Sequence, residues 1–289
     1  MMFAVLFLLF GCGEDQPVEK RNVEKVRETP EQKNVITKGV AKFNGEIFSV
    51  PSPIQMVIML KEQKIPFNKE VLNDVNNRTE YVNQFQQALN MGVYGADLAY
   101  VSAYQKGQDI LKYFSVVKGL AEDLGIRSNI DEEILTRFGE NINNIDSLYA
   151  LSGELYKEAN FYLNDNNRNQ VAALILAGGW IESMYSLTNK PAEKLFVKQK
   201  LGEQKSALMS LSNLLAEFDD PKVNTIKSEL KELNAIYKSL QYKYSYVEPI
   251  HDVEKKTTYL KSKTDIIMSD EQFDKIVMLI NSIRNEIIK

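Results

Sequence analysis

From Pro53 to the end of the chain, apolar residues recur every three or four positions, and that spacing dictates helices. The cleanest stripe is Val223, Ile226, Leu230, Leu233, Ile236 and Leu240. Ile54, Val57, Ile58 and Lys61 follow Pro53, a residue suited to a first helical position. Phe85, Leu89 and Met91 define a helix near Thr79 to Met91, and Ile110, Phe114, Val117, Ala121 and Leu124 another, stopped at Gly125. Asn129-Ile130-Asp131-Glu132 has the form of a capping box and opens a further helix. Ile145, Leu148, Leu151, Leu155, Ala159 and Tyr162 continue the helical spacing. The patch Asn164 to Asn169 is either a turn or the polar face of one long helix. Val171 to Leu187 is apolar on nearly all sides, which predicts the central, most buried helix. Pro191 marks the next start. Leu208, Leu211, Leu215 and Phe218 form a helix ended by Asp219-Asp220-Pro221. Tyr242 to Met268 is less regular, with Pro249 and the β-rich run Thr257-Thr258-Tyr259-Leu260. Ser269-Asp270-Glu271-Gln272 is a capping box for the last helix, through Phe273, Ile276, Ile280 and Ile283. The expected fold is all-α: an irregular bundle of roughly eight to ten helices. Residues Phe43 to Ile54, with Pro51 and Pro53, supply a short extended lead-in.

Composition removes whole classes of chemistry. Cys12 is the only cysteine and His251 the only histidine, so disulfides, thiolate sites and multi-histidine metal sites are excluded. No cofactor and no metal is implied. With 35 basic and 39 acidic residues spread along the chain, no region is basic enough for a nucleic-acid footprint. The hydrophobic fraction of 44 % suffices for a packed core. No phosphate-binding Gly-Lys-Ser/Thr loop and no Gly-x-Ser-x-Gly elbow occurs. Glu154 and Glu158 share a helix face, but a di-iron bundle also needs Glu-x-x-His pairs.

The first eleven residues, Met1 to Gly11, are an apolar run about half the length needed to cross a bilayer. Leu9, Gly11 and Cys12 in that order, followed at once by charged residues, resemble the lipobox of a bacterial lipoprotein signal peptide. The basic residue that usually opens such a peptide is missing, and Phe10 is bulkier than the usual residue at its position. The resemblance implies a signal peptide over residues 1–11 and palmitate-type acylation of Cys12. It places the protein on the outer membrane, facing periplasm or cell surface. Residues 12–40 then form a charged tether with no aromatic residue, too poor in apolar side chains to repay ordering. Glu14-Asp15 is either plain linker or a surface-export signal. Residues 41–289 remain as one helical domain.

Two segments are candidates for a binding site. Asn90 to Tyr100 contains Gly92 and Gly95, which permit tight turning or close helix approach, and Asp97, suited to the first turn of a helix. Ala177-Gly178-Gly179-Trp180-Ile181-Glu182 places the only tryptophan beside a carboxylate in an apolar run. Glu182 needs a partner or a raised pKa if buried. The candidate pocket is Tyr94, Asp97, Tyr100, Trp180 and Glu182, weighed against simple packing. Tyr237, Tyr242, Tyr244 and Tyr246 beside Lys238 and Lys243 form either a contact surface or core-edge packing. Cys12, Phe48 to Pro53 and Leu89 to Tyr100 together resemble an uncharacterised family of helical lipoproteins from Gram-negative bacteria. That resemblance implies an envelope location and no assigned activity. The expected function is a non-enzymatic envelope protein held at the membrane by acyl chains, binding a protein partner or a small ligand. The alternative is an envelope hydrolase built on carboxylates, with Asp97, Glu154 or Glu182.

Overall fold

The computed structural model describes residues 38–43, 46–51, 53–126, 168–189, 192–216 and 221–289, with isolated positions between 136 and 151. The chain is mostly helical with short antiparallel strands, as its periodicity requires. The capping box at Asn129, most of the Ile145 to Tyr162 stripe, Glu154, Glu158 and Cys12 lie outside the described residues.

A two-stranded hairpin leads in. Strand β1 (Lys38–Phe43) pairs antiparallel with β2 (Glu46–Pro51). The extended lead-in therefore begins at Lys38, inside the stretch expected to be tether. Helix α1 (Pro53–Glu62) starts on its proline, and two short 3-10 turns, Lys69–Val71 and Val75–Glu80, connect it to α2 (Gln84–Ala103). The side chain of Asn83 accepts from the Gln86 N–H and caps α2. One helix therefore replaces the expected segment near Thr79 to Met91 and runs straight through Gly92 and Gly95. Asp97 sits deep inside it, not in a first turn.

Helix α3 (Gly107–Asp123) ends on Gly125 at φ 66°. The Ile126 N–H donates to the Ala121 carbonyl at 2.8 Å and the Gly125 N–H to Glu122 at 2.9 Å, the paired bonds of a Schellman stop. Helix α4 (Asn169–Thr188) is long and apolar enough to cross a membrane, but 83 % of its most apolar window is buried by the rest of the fold. It is the central core helix, and α1, α2, α6 and α8 pack on it. Among the described residues the chain continues through helices α5 (Lys194–Gly202), α6 (Lys205–Ala216), α7 (Pro221–Ser239) and α8 (Asp270–Ile287). All six residues of the α7 stripe are buried. Ser269 and Gln272 form the capping box expected at α8.

Between α7 and α8 the irregular stretch is a β-ribbon. Strand β3 (Gln241–Ser245) pairs with β6 (Lys263–Ile267), and within that loop β4 (Ile250–Asp252) pairs with β5 (Thr257–Tyr259). All four strands belong to one long antiparallel hairpin.

The α2–α4 contact is made by backbone. A Cβ added at Gly92 would lie 2.0 Å from the Ile175 carbonyl oxygen, and one at Gly178 would lie 1.9 Å from that of Leu89. Gly95, in contrast, faces open space. Gly92→Ala must push the two helices apart and is expected to destabilise by about 3 kcal/mol. Gly95→Ala gains helix propensity at no steric cost and should stabilise by about 1 kcal/mol. Urea unfolding of the two variants checks both signs.

Candidate functional site

Asp97 on α2, Glu182 on α4 and Arg284 on α8 meet in the core. Arg284 grips Glu182 with two nitrogens, Nε to Oε2 at 3.1 Å and Nη2 to Oε1 at 3.4 Å. The Arg284 guanidinium also lies 4.4 Å from the Tyr185 ring centroid. Burial disfavours the Arg284 cation, but the Glu182 carboxylate outweighs that and holds the group above its ordinary range. Glu182 is 0 % and Asp97 1 % exposed.

Asp97 is pushed well above the usual carboxylate range, first by burial and then by the negative charge of Glu182. Its Oδ2 accepts from the Asn73 backbone N–H at 3.0 Å. Its Oδ1 meets no donor, yet the side chain lies in hydrogen-bond contact with Glu182. Two carboxylates cannot share a hydrogen bond without a proton between them. Burial and the Glu182 charge both favour the neutral acid at Asp97, an arrangement in which the three groups balance as one cation, one anion and one neutral acid.

Asn73 organises the surrounding polar groups. Its Nδ2 donates to the Tyr81 hydroxyl at 3.0 Å, its carbonyl accepts from Tyr113 at 2.8 Å, and its Oδ1 accepts from Asn77 at 2.8 Å. Tyr94 donates to the Asp74 carbonyl at 2.7 Å and stands between the Tyr81 and Tyr113 rings. Burial raises the phenols of Tyr81, Tyr94 and Tyr113 above their ordinary value. The same network closes the end of α8: Asn90 donates to the Ile287 carbonyl at 2.8 Å and Tyr81 to that of Ile288 at 3.3 Å.

Of the five candidate pocket residues, the structure brings Asp97 and Glu182 into contact and sets Tyr94 in the adjoining tyrosine row. Tyr100 lies elsewhere. It stacks on Phe67 at 5.2 Å, touches Tyr104 and accepts from the Asn68 N–H at 2.8 Å. Burial pushes its phenol up to about 12. Trp180 is 2 % exposed, and its indole N–H meets no partner among the described residues. Asn73 and Arg284 are the members that sequence reasoning misses. Arg284 carries a signal: it falls four residues after Ile280, on the buried stripe of α8, where a cation needs a buried anion. Among the described residues, no three His, Cys, Asp or Glu side chains converge as a metal site would require. No protein-family model matches the chain, and no curated protein or solved structure matches it.

A carboxyl group whose folded pKa is raised stabilises the fold fully below its unfolded value. That contribution is lost as pH climbs to the folded value. Asn at position 97 reproduces the neutral acid, accepting from Asn73 and donating to Glu182. Asp97→Asn should therefore gain stability over the parent as pH rises above about 4. Arg284→Ala strands Glu182 and should cost about 3–5 kcal/mol at neutral pH. Denaturant midpoints across a pH series read both effects; a parent–Asp97→Asn difference that does not move with pH would contradict the neutral acid.

Proposed function

We propose that this chain is a lipid-anchored protein of the bacterial outer membrane whose helical domain binds an envelope partner or small ligand without chemistry of its own. The anchoring rests on the lipobox-like segment ending at Cys12. The binding role is supported by one observation: among the described residues, the candidate carboxyl groups that converge, Asp97 and Glu182, do so inside the core, beside Arg284 and Asn73. A carboxylate hydrolase needs two such groups at an open site about 5 to 10 Å apart, reachable by substrate and water. Asp97 and Glu182 are instead positioned to hold α2, α4 and α8 together. Among the described residues, most of the exposed large apolar side chains lie on the ribbon between α7 and α8, where Tyr246 and Leu260 face solvent.

Cells expressing the chain and fed labelled palmitate should incorporate label and retain the protein in the membrane fraction. Cys12→Ala should abolish incorporation and move the protein to the soluble fraction. Membrane retention unchanged in the variant would sink the anchor.

A further inference from the structure

The β-ribbon is built as an arm, tied at its base and apolar towards its tip. At the base, Gln199 on α5 pairs with the free edge of β6 as a strand would: its Nε2 donates to the Thr264 carbonyl at 2.9 Å and its Oε1 accepts from the Ile266 N–H at 3.2 Å. Tyr242 donates to the Gly202 carbonyl at 3.2 Å, with Lys205 4.5 Å from its ring. Gly202 is glycine for that reason: a Cβ there would lie 2.5 Å from the Ile266 side chain. Beyond this base the two-stranded ribbon depends on its own pairing. Ser262 brackets it by bonding both the N–H and the carbonyl of Val247.

The outer half exposes what soluble domains bury. Eight of the thirteen exposed large apolar side chains among the described residues lie on this one hairpin. Val253 at the turn is 86 % exposed and Leu260 77 %, with Tyr246, Val247, Ile250 and Tyr259 around them. Ile250 and Tyr259 are directly paired and share a face. Successive side chains of a strand point to opposite faces; on the β3–β6 pair, exposed Tyr244 and Ile267 fall on opposite faces, so the ribbon exposes apolar side chains on both sides. A groove on a folded partner covers one face of a ribbon; a lipid interface surrounds both.

Charge favours the same occupant. The chain carries a net charge of −4, yet on the ribbon five lysines face four acids. Asp252 and Asp265 are engaged by Lys255 and Lys263, and Lys261 lies 5.8 Å from the Tyr259 ring. The arm therefore carries a net charge of about +1 in an acidic chain, and an anionic membrane surface would not repel it. Tyrosine and lysine flanking short aliphatic side chains is the composition of an interfacial segment. The unpaired edges of the ribbon restrict it to headgroup depth, where water and phosphates can satisfy them.

We infer that the β-arm is a second, reversible membrane contact, inserting Val253, Leu260 and Tyr246 into the headgroup region of an anionic bilayer. The inference rests on the anchoring reading above only for proximity. The stretch from Cys12 to Lys38 reaches at most about 3.5 Å per residue, which keeps the domain beside the surface that holds Cys12.

The test uses the full chain, coupled through the Cys12 thiol to maleimide-bearing lipid. The vesicles are phosphatidylethanolamine, phosphatidylglycerol and phosphatidylcholine brominated on its acyl chains. Val253→Trp places a second tryptophan at the tip, while buried Trp180 reports the background. Brominated lipid should quench the tip tryptophan strongly and the unsubstituted chain hardly at all. Leu260→Asp added to Val253→Trp should remove most of the quenching without shifting the urea midpoint. Absence of tip quenching on tethered protein overturns the inference and leaves the arm to a protein partner. Quenching that survives both Leu260→Asp and Tyr246→Asp overturns it as well. Palmitate labelling of Cys12 is scored separately, so loss of the anchor with a quenched tip removes only the anchor, and the reverse only the arm.

Discussion

The backbone-to-backbone approach of α2 and α4 is the constraint on which the rest of the core depends. Gly92 and Gly178 each bring a Cα where a methyl group would collide with a carbonyl of the other helix. Two central glycines cost helix propensity, about 1 kcal/mol each. The return is a contact so short that residues one turn or so further along face each other directly. Asp97 lies five residues after Gly92, and Glu182 four after Gly178. At a wider separation the two carboxyl groups would not meet and water would fill the space between them.

The meeting of these carboxyl groups sets an electrostatic problem that the third helix solves. Taken alone, a pair of buried carboxylates would split the core. Arg284 pairs with one, and burial together with that carboxylate favours a retained proton on the other. The arrangement joins three helices through α8 and extends through Asn73 to the 3-10 turns that precede α2. Asp97, Glu182, Arg284 and Asn73 each have a named partner, which is why the group tolerates burial. The bonds from Asn90 and Tyr81 to the last carbonyls of α8 make the same network responsible for docking that helix.

Local signals are legible in the sequence and non-local ones are not. The capping box at Ser269, the Gly125 stop, Pro53 as a first helical residue and the α7 stripe are all set by neighbours within a few turns, and all are present. Gly92 and Gly95 look alike in sequence, but only the first faces another backbone, because a distant stretch of chain around Ile175 decides it. Glycine before an acid resembles a cap and suggests a helix start at Asp97; packing against α4 instead carries the helix through both glycines. Tyr94 and Tyr100 each lie about 60° from Asp97 around α2 but on opposite sides of it, so they fall about 120° apart and enter different aromatic clusters. The ribbon shows in the sequence only as an irregular stretch with a β-rich run at Thr257 to Leu260, because its outward-facing apolar residues give no alternation to read.

Asp97 and Glu182 thus belong to a buried interior, where they join helices, and the proposed contact with other molecules is assigned to the exposed arm. That interior is balanced only if Asp97 keeps its proton in the folded state. Infrared difference spectroscopy on protein with carbon-13 carboxyl-labelled aspartate, parent against Asp97→Asn, reads this directly. A protonated carboxylic acid band should be present at neutral pH, shift with the label and be absent from Asp97→Asn. A parent spectrum with carboxylate bands alone would contradict the neutral acid, and the core would then have to balance two buried anions against one arginine.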